Sequence, residues 1–117
     1  MGLKLQFTDA WGNQAEYLKI SELANNFPRK TGKVVIELWK DRDTSKNGSF
    51  QPVGLIVCPL RTSEKKQDGI TQLLQFSKFA EALRVDQYAE LKNHKFSSPI
   101  GGTTIDFDLT LATDVLE

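Results

Sequence analysis

Apolar and polar positions alternate along this chain, and the period of the alternation changes part-way. Leu3, Leu5 and Phe7 are interleaved with Lys4, Gln6 and Thr8. A period of two with one polar side predicts a half-buried strand. Asp9 to Gln14 follows, with Gly12 and Asn13, residues that accept the positive φ of a chain reversal. Ala15 to Leu23, carrying Tyr17, Leu18 and Ile20, predicts a second strand, and Pro28 and Gly32 bracket a polar turn. The strongest strand signal is Val34 to Trp39. Val34, Ile36 and Leu38 share one face; Val35, Glu37 and Trp39 share the other. Lys40 to Ser49 is polar throughout and predicts a solvated loop. Pro52 then opens Val53 to Cys58, a fourth strand that Pro59 stops.

From Asp68 the spacing turns helical. Ile70, Leu73 and Leu74 begin a stripe that Phe76, Phe79, Ala80 and Leu83 extend, with Asp68 as its N-cap. Val85-Asp86 interrupts the stripe, and Asp86 can cap a shorter helix bearing Tyr88, Ala89 and Leu91 that ends near Asn93-His94-Lys95. Ser97 to Gly102 reads as loop. Thr104 to Leu111 reads as a last strand with Ile105, Phe107, Leu109 and Leu111 inward. Strands followed by helix predict an α+β domain: an antiparallel sheet or partly open barrel of about five strands, with one long or broken helix on one face.

Length and charge narrow the picture. A chain of 117 residues makes one globular domain, 1–117, able to bury its own core. Lys plus Arg equals Asp plus Glu at 15 each, which disfavours a nucleic-acid coat or an anionic-membrane binder but leaves room for a local basic patch. No apolar run is long enough for a membrane span, and Met1 to Gln6 lacks a signal-peptide core, which implies cytoplasmic synthesis.

Candidate chemistry is sparse. The chain has one His and one Cys. Cys58, on an apolar strand, is expected to be a small buried hydrophobe, and His94 a solvated residue near a helix end. Glycine-rich phosphate cradles and nucleophile elbows are missing from the sequence. Asp41-x-Asp43-x-Ser45-x-Asn47-Gly48 spaces oxygens like a calcium loop, but its Gly falls at loop position 8 instead of 6 and Pro52 stands where a bidentate Glu is needed. A hairpin tip is the better expectation. Asp106 and Asp108 share one side of a strand and are expected to be its solvated face, not an acid–base pair. The expectation is therefore a protein that is not an enzyme, with no catalytic residues, no metal ligands and no cofactor.

What remains is a surface. Trp11, Trp39, Phe50 and Tyr17 supply aromatic area. Because Trp39 and Val35 lie opposite the Val34/Ile36/Leu38 face, a single helix leaves them uncovered. Trp39, Val35, Trp11 and Phe50 are thus the candidate interface, with Ile56 beside them, for protein–protein contact. The alternative is a small OB-like module that binds single-stranded nucleic acid by stacking bases on Trp39 and Phe50 near Lys33, Lys40 and Arg42. Zero net charge favours the first.

A resemblance points the same way. It is carried by the Asp-x-x-Gly-Asn turn at Asp9 to Asn13, by Tyr17-Leu18-Lys19-Ile20, by Val34 to Lys40, by the polar loop Arg42 to Gly48 with Pro52-Val53, by Tyr88 to Lys92, and by Ala112 to Leu116. In this succession the chain resembles small virion proteins encoded among the tail and baseplate genes of tailed bacteriophages. The resemblance implies a non-enzymatic structural or adaptor role in a tail, baseplate or fibre attachment. It implies a homo-oligomer that also contacts other virion proteins, made in the host cytoplasm and located in the virion. It brings no catalytic residues.

Overall fold

The β-branched and aromatic run Val34 to Trp39 forms the centre of strand β3 (Thr31–Trp39), and β3 is the middle of the principal sheet. In a computed structural model of the protein, residues 2–8, 14–46, 51–100 and 103–115 are described. Around β3 lie β1 (Gly2–Thr8), β2 (Gln14–Asn26), β4 (Gly54–Arg61), β5 (Lys65–Gln67) and β6 (Ile70–Gln75). Two further strands, β7 (Lys95–Ile100) and β8 (Thr103–Asp108), pair with each other as a separate hairpin. The last, β9 (Thr113–Val115), returns to β1. The principal sheet is seven-stranded in the order β5-β6-β4-β3-β2-β1-β9, open at β5 and β9. Its pairs are antiparallel except β4–β6, which run parallel at Leu60↔Leu74 and Arg61↔Gln75. Among the described residues, three short α-helices complete the α+β fold: α1 (Arg42–Ser45), α2 (Ser77–Ala80) and α3 (Arg84–Leu91). None of the described helices is long and apolar enough to cross a membrane.

The inner face follows from the period of two. Leu18 and Ile20 of β2, Val34, Ile36 and Leu38 of β3, and Ile56, Cys58 and Leu60 of β4 are all buried in one cluster. Leu74, Phe76 and Phe79 fill it from β6 and α2, Tyr88 and Leu91 from α3, and Phe96 and Phe107 from the β7–β8 hairpin. Tyr88 and Leu91 are three apart, so both point to one side of α3. A bulge in β2 between Ile20 and Glu22 disturbs the ladder to β3. The Ile20 N–H donates to Tyr88 Oη at 2.8 Å, which fastens the helix to the sheet at the bulge.

Several expectations are corrected. Ile70–Gln75 is a strand, not the start of a long helix. Asp68, expected as an N-cap, has φ +53° and Gly69 has φ +81°, the pair of positive values of a two-residue type I′ hairpin turn that sets Gln67 opposite Ile70. The helical portion is thereby reduced to α2 and α3. Leu83 between them is extended and exposed, so the break comes just before Val85-Asp86. The segment expected as loop, Ser97 to Gly102, lies largely in β7. The last strand stops at Asp108, because its carboxylate accepts the Thr110 N–H and starts a 3-10 turn at Leu109–Leu111. Leu111 is consequently exposed instead of inward. The strand count of about five is too low, and the sheet does not close into a barrel. In the polar loop, Asp41 caps α1 by accepting the Thr44 N–H at 2.8 Å.

At Gly32 the backbone of β2 comes close to β3. A Cβ there would lie 2.0 Å from the Ala24 carbonyl oxygen. Gly32→Ala must displace the β2 backbone, and we expect a loss of about 1–3 kcal/mol, seen as a melting temperature several degrees lower. A melt superimposable on wild type would show that the two strands are not so closely paired at this point.

Candidate functional site

Two regions collect the side chains of interest. The first is the outer face of the sheet, opposite the core. Cross-strand partners share a face, so Tyr17 and Trp39 lie together, as do Val35 and Val57, and Glu37 and Leu55. The structure therefore brings Trp39 and Val35 to the face expected, but covers them, at 6% and 8% exposure. The Lys19 ammonium lies 5.4 Å from the centre of the Trp39 ring and donates to the Ser45 carbonyl at 3.2 Å, which ties α1 to β2. The indole N–H donates to Glu37 Oε1 at 3.2 Å. Ile56 belongs to the core side. Its neighbours Leu55 and Val57 carry the exposed apolar surface of this face, at 46% and 58%. The period of two along β4 holds that signal, since an inward Ile56 sends both neighbours out. Trp11 and Phe50 lie outside the described residues.

The second region is polar and was not anticipated. His94 is buried, at 2% exposure, and the expectation of a solvated histidine is corrected. Its backbone is pinned twice: its N–H donates to the Leu91 carbonyl and its carbonyl accepts from the Leu109 N–H, both at 3.1 Å. On one side of the ring, Nδ1 is 2.9 Å from Thr71 Oγ1 of β6, itself buried. On the other, Nε2 is 2.9 Å from Glu90 Oε1 and 3.3 Å from Glu64 Oε1. Glu64 stands just before β5, while Glu90 lies on α3 one helical turn ahead of His94. The single sequence signal was the Glu90-x-x-x-His94 spacing. Burial alone would raise the Glu90 pKa, but the His94 hydrogen bond and the Lys78 ammonium at 3.4 Å outweigh it and hold the carboxyl below its ordinary range. One atom each of Glu64, Glu90 and His94 could hold a metal ion, for these three atoms all lie within 4.8 Å of one another.

The remaining candidates serve structure. Cys58 is buried, and burial pushes its thiol up to about 12, so it supplies no thiolate near neutral pH. Asp106 is exposed, and the Asp108 carboxylate is engaged by the hydroxyl and N–H of Thr110 and by Lys95 at 3.7 Å, a capping role. At the far end of the β2–β3 hairpin, Arg29, Lys33 and Arg61 border an open recess of about 430 Å³.

Comparison of the chain with protein-family models, with curated proteins and with solved structures returns no match.

The Glu90–His94 contact gives a pH dependence with a definite sign. A carboxylate whose folded pKa is depressed adds stability above its unfolded value of about 4.3 and loses it as pH falls through the folded value. With chelator present, the melting-temperature gap between wild type and Glu90→Gln should be full near pH 6 and narrow as acid is added below about pH 4. A gap that stays constant across that range would mean that the Glu90 carboxylate is not held in this contact.

Proposed function

We propose that the protein is a non-enzymatic structural or adaptor component of a tailed-phage virion, placed in a tail, baseplate or fibre attachment, and that it assembles with copies of itself and other virion proteins. The observation that carries this reading is the outer sheet face, where Leu55 and Val57 stand exposed beside the covered Val35 and Trp39. Neighbouring apolar side chains on an antiparallel sheet suit a docking surface, because a hydrogen-bonded backbone loses little conformational entropy on contact. Two of the segments that carry the phage resemblance help build this face: Val34 to Lys40 contributes Trp39, and α1 within Arg42 to Gly48 is tied over it by Lys19.

Val57→Asp tests it. The side chain already faces solvent, so its melting temperature should stay close to that of wild type. Sedimentation should show weakened self-association, and incorporation into purified virions should fall. Unchanged association and incorporation would remove this face from the assembly. A wild-type protein missing from purified virions would end the virion reading.

A second reading is favoured by one observation. Arg29, Lys33 and Arg61 line a basic recess, and two residues before Arg29 in the chain stands the exposed Phe27, whose ring packs edge-on against Phe76 at 5.6 Å. Cations next to an aromatic ring suit a single-stranded nucleic acid. On this reading, single-stranded DNA binds at low salt, falls away steeply as salt rises, and is lost in an Arg29→Ala/Arg61→Ala variant. A flat titration at low salt removes it.

A further inference from the structure

The polar cluster around His94 is built more tightly than a surface ion pair needs to be. Its ring is held by two backbone hydrogen bonds of its own residue and by the Thr71 hydroxyl on Nδ1. That leaves Nε2 aimed at two carboxylate oxygens, at 2.9 and 3.3 Å. A lone pair facing two carboxylates repels them, so the space among these atoms is filled by a proton or by a metal ion. Donor atoms around a tetrahedral ion with bonds of about 2.1 Å stand roughly 3.4 Å apart. The distances from Nε2 already approach that edge, and the three donors lie within 4.8 Å of one another. A small rotation of the carboxylates would centre an ion.

Three more features fit. The Thr71 contact on the far ring nitrogen is of the kind that orients metal-bound imidazoles. Glu64 is partly exposed while His94 is buried, so an ion has an entry path from solvent. The cluster carries two negative charges when the ring is neutral, against the half-exposed Lys78 at 3.4 Å from Glu90. A divalent ion balances it.

We propose that Glu64, Glu90 and His94 bind one divalent transition-metal ion of the zinc class, with Thr71 as the positioning residue for the imidazole. One nitrogen and two carboxylate oxygens favour such ions over calcium or magnesium, which take oxygen alone, and over copper(I), which prefers sulfur. The ion joins the segment before β5 to the end of α3, across residues far apart in sequence. The unfolded chain holds no such arrangement, so binding stabilises the fold.

The full chain is stripped with chelator and titrated with Zn²⁺ while thermal melts are followed, and with Co²⁺ while visible absorption is followed. We expect one ion per chain, a melting temperature that rises with Zn²⁺, and a visible cobalt band; Mg²⁺ and Ca²⁺ at the same concentrations should leave the melt unchanged. Because removing the buried imidazole endangers folding itself, the deciding variant is Glu64→Gln, on a partly exposed residue outside the strands and helices. Measured against its own metal-free melt, it should lose most of the Zn²⁺-induced rise and at least about tenfold in Zn²⁺ affinity. Absence of both the melt shift and the cobalt band overturns the proposal and leaves a proton in the cluster. Binding that Glu64→Gln does not weaken also overturns it, since the ion then sits elsewhere on the chain.

Discussion

Strand β3 is hydrogen-bonded along both edges and buried on both faces, and the rest of the domain is arranged to cover it. Each fully buried aliphatic side chain is worth about 1.5–3 kcal/mol, and Val34, Val35, Ile36 and Leu38 supply four of them. Covering the inner face takes α2, α3 and the β7–β8 hairpin. The outer face gets a cheaper cover. One turn of helix, α1, folds back over its end, and the stem and ammonium of Lys19 lie across the indole. That cover stops short of Leu55 and Val57, which is why the apolar surface left on this face belongs to β4 and not to β3.

How much of this was legible depended on whether the deciding contact was local. The first four strands were, because a buried face under a period of two writes itself into the sequence directly; only the stop expected at Pro59 is corrected, since β4 runs through it to Arg61 and puts Leu60 in the core. The inward set Val34, Ile36 and Leu38 came out as read. Strand β6 did not, because Ile70, Leu73 and Leu74 satisfy a helical stripe as well as a half-buried strand. The Asp68-Gly69 dipeptide, a two-residue hairpin turn, was the local cue that separates the two. Leu111 was misread because one side-chain hydrogen bond, from Thr110 to Asp108, ends the strand before its alternation does. His94 and Trp39 were beyond local reading altogether. The burial of one rests on Thr71, 23 residues away, and the cover of the other on Lys19 and Ser45, 26 residues apart.

The β5–β6 hairpin has the lightest backbone attachment in the described sheet. It joins β4 through a two-position parallel pairing and one further bond, from the Phe76 N–H to the Arg61 carbonyl at 2.7 Å. Its side chains add the rest: Leu74 enters the core, and Thr71 reaches the imidazole of His94. The polar cluster therefore sits where the sheet is least able to hold itself together. Apolar surface and polar cluster are built from different strands, so a change at one need not disturb the other.

The bond between Ile20 and Tyr88 has a consequence for how the molecule breathes. Its donor is a sheet amide and its acceptor a helix side chain 68 residues further on. When amide hydrogens exchange with heavy water, most protons in β2 are released by separation from a neighbouring strand. The Ile20 proton is released when α3 lifts away, so its protection factor reads the free energy of that single opening. Compared with its neighbours along β2, it separates undocking of the helix from unravelling of the sheet.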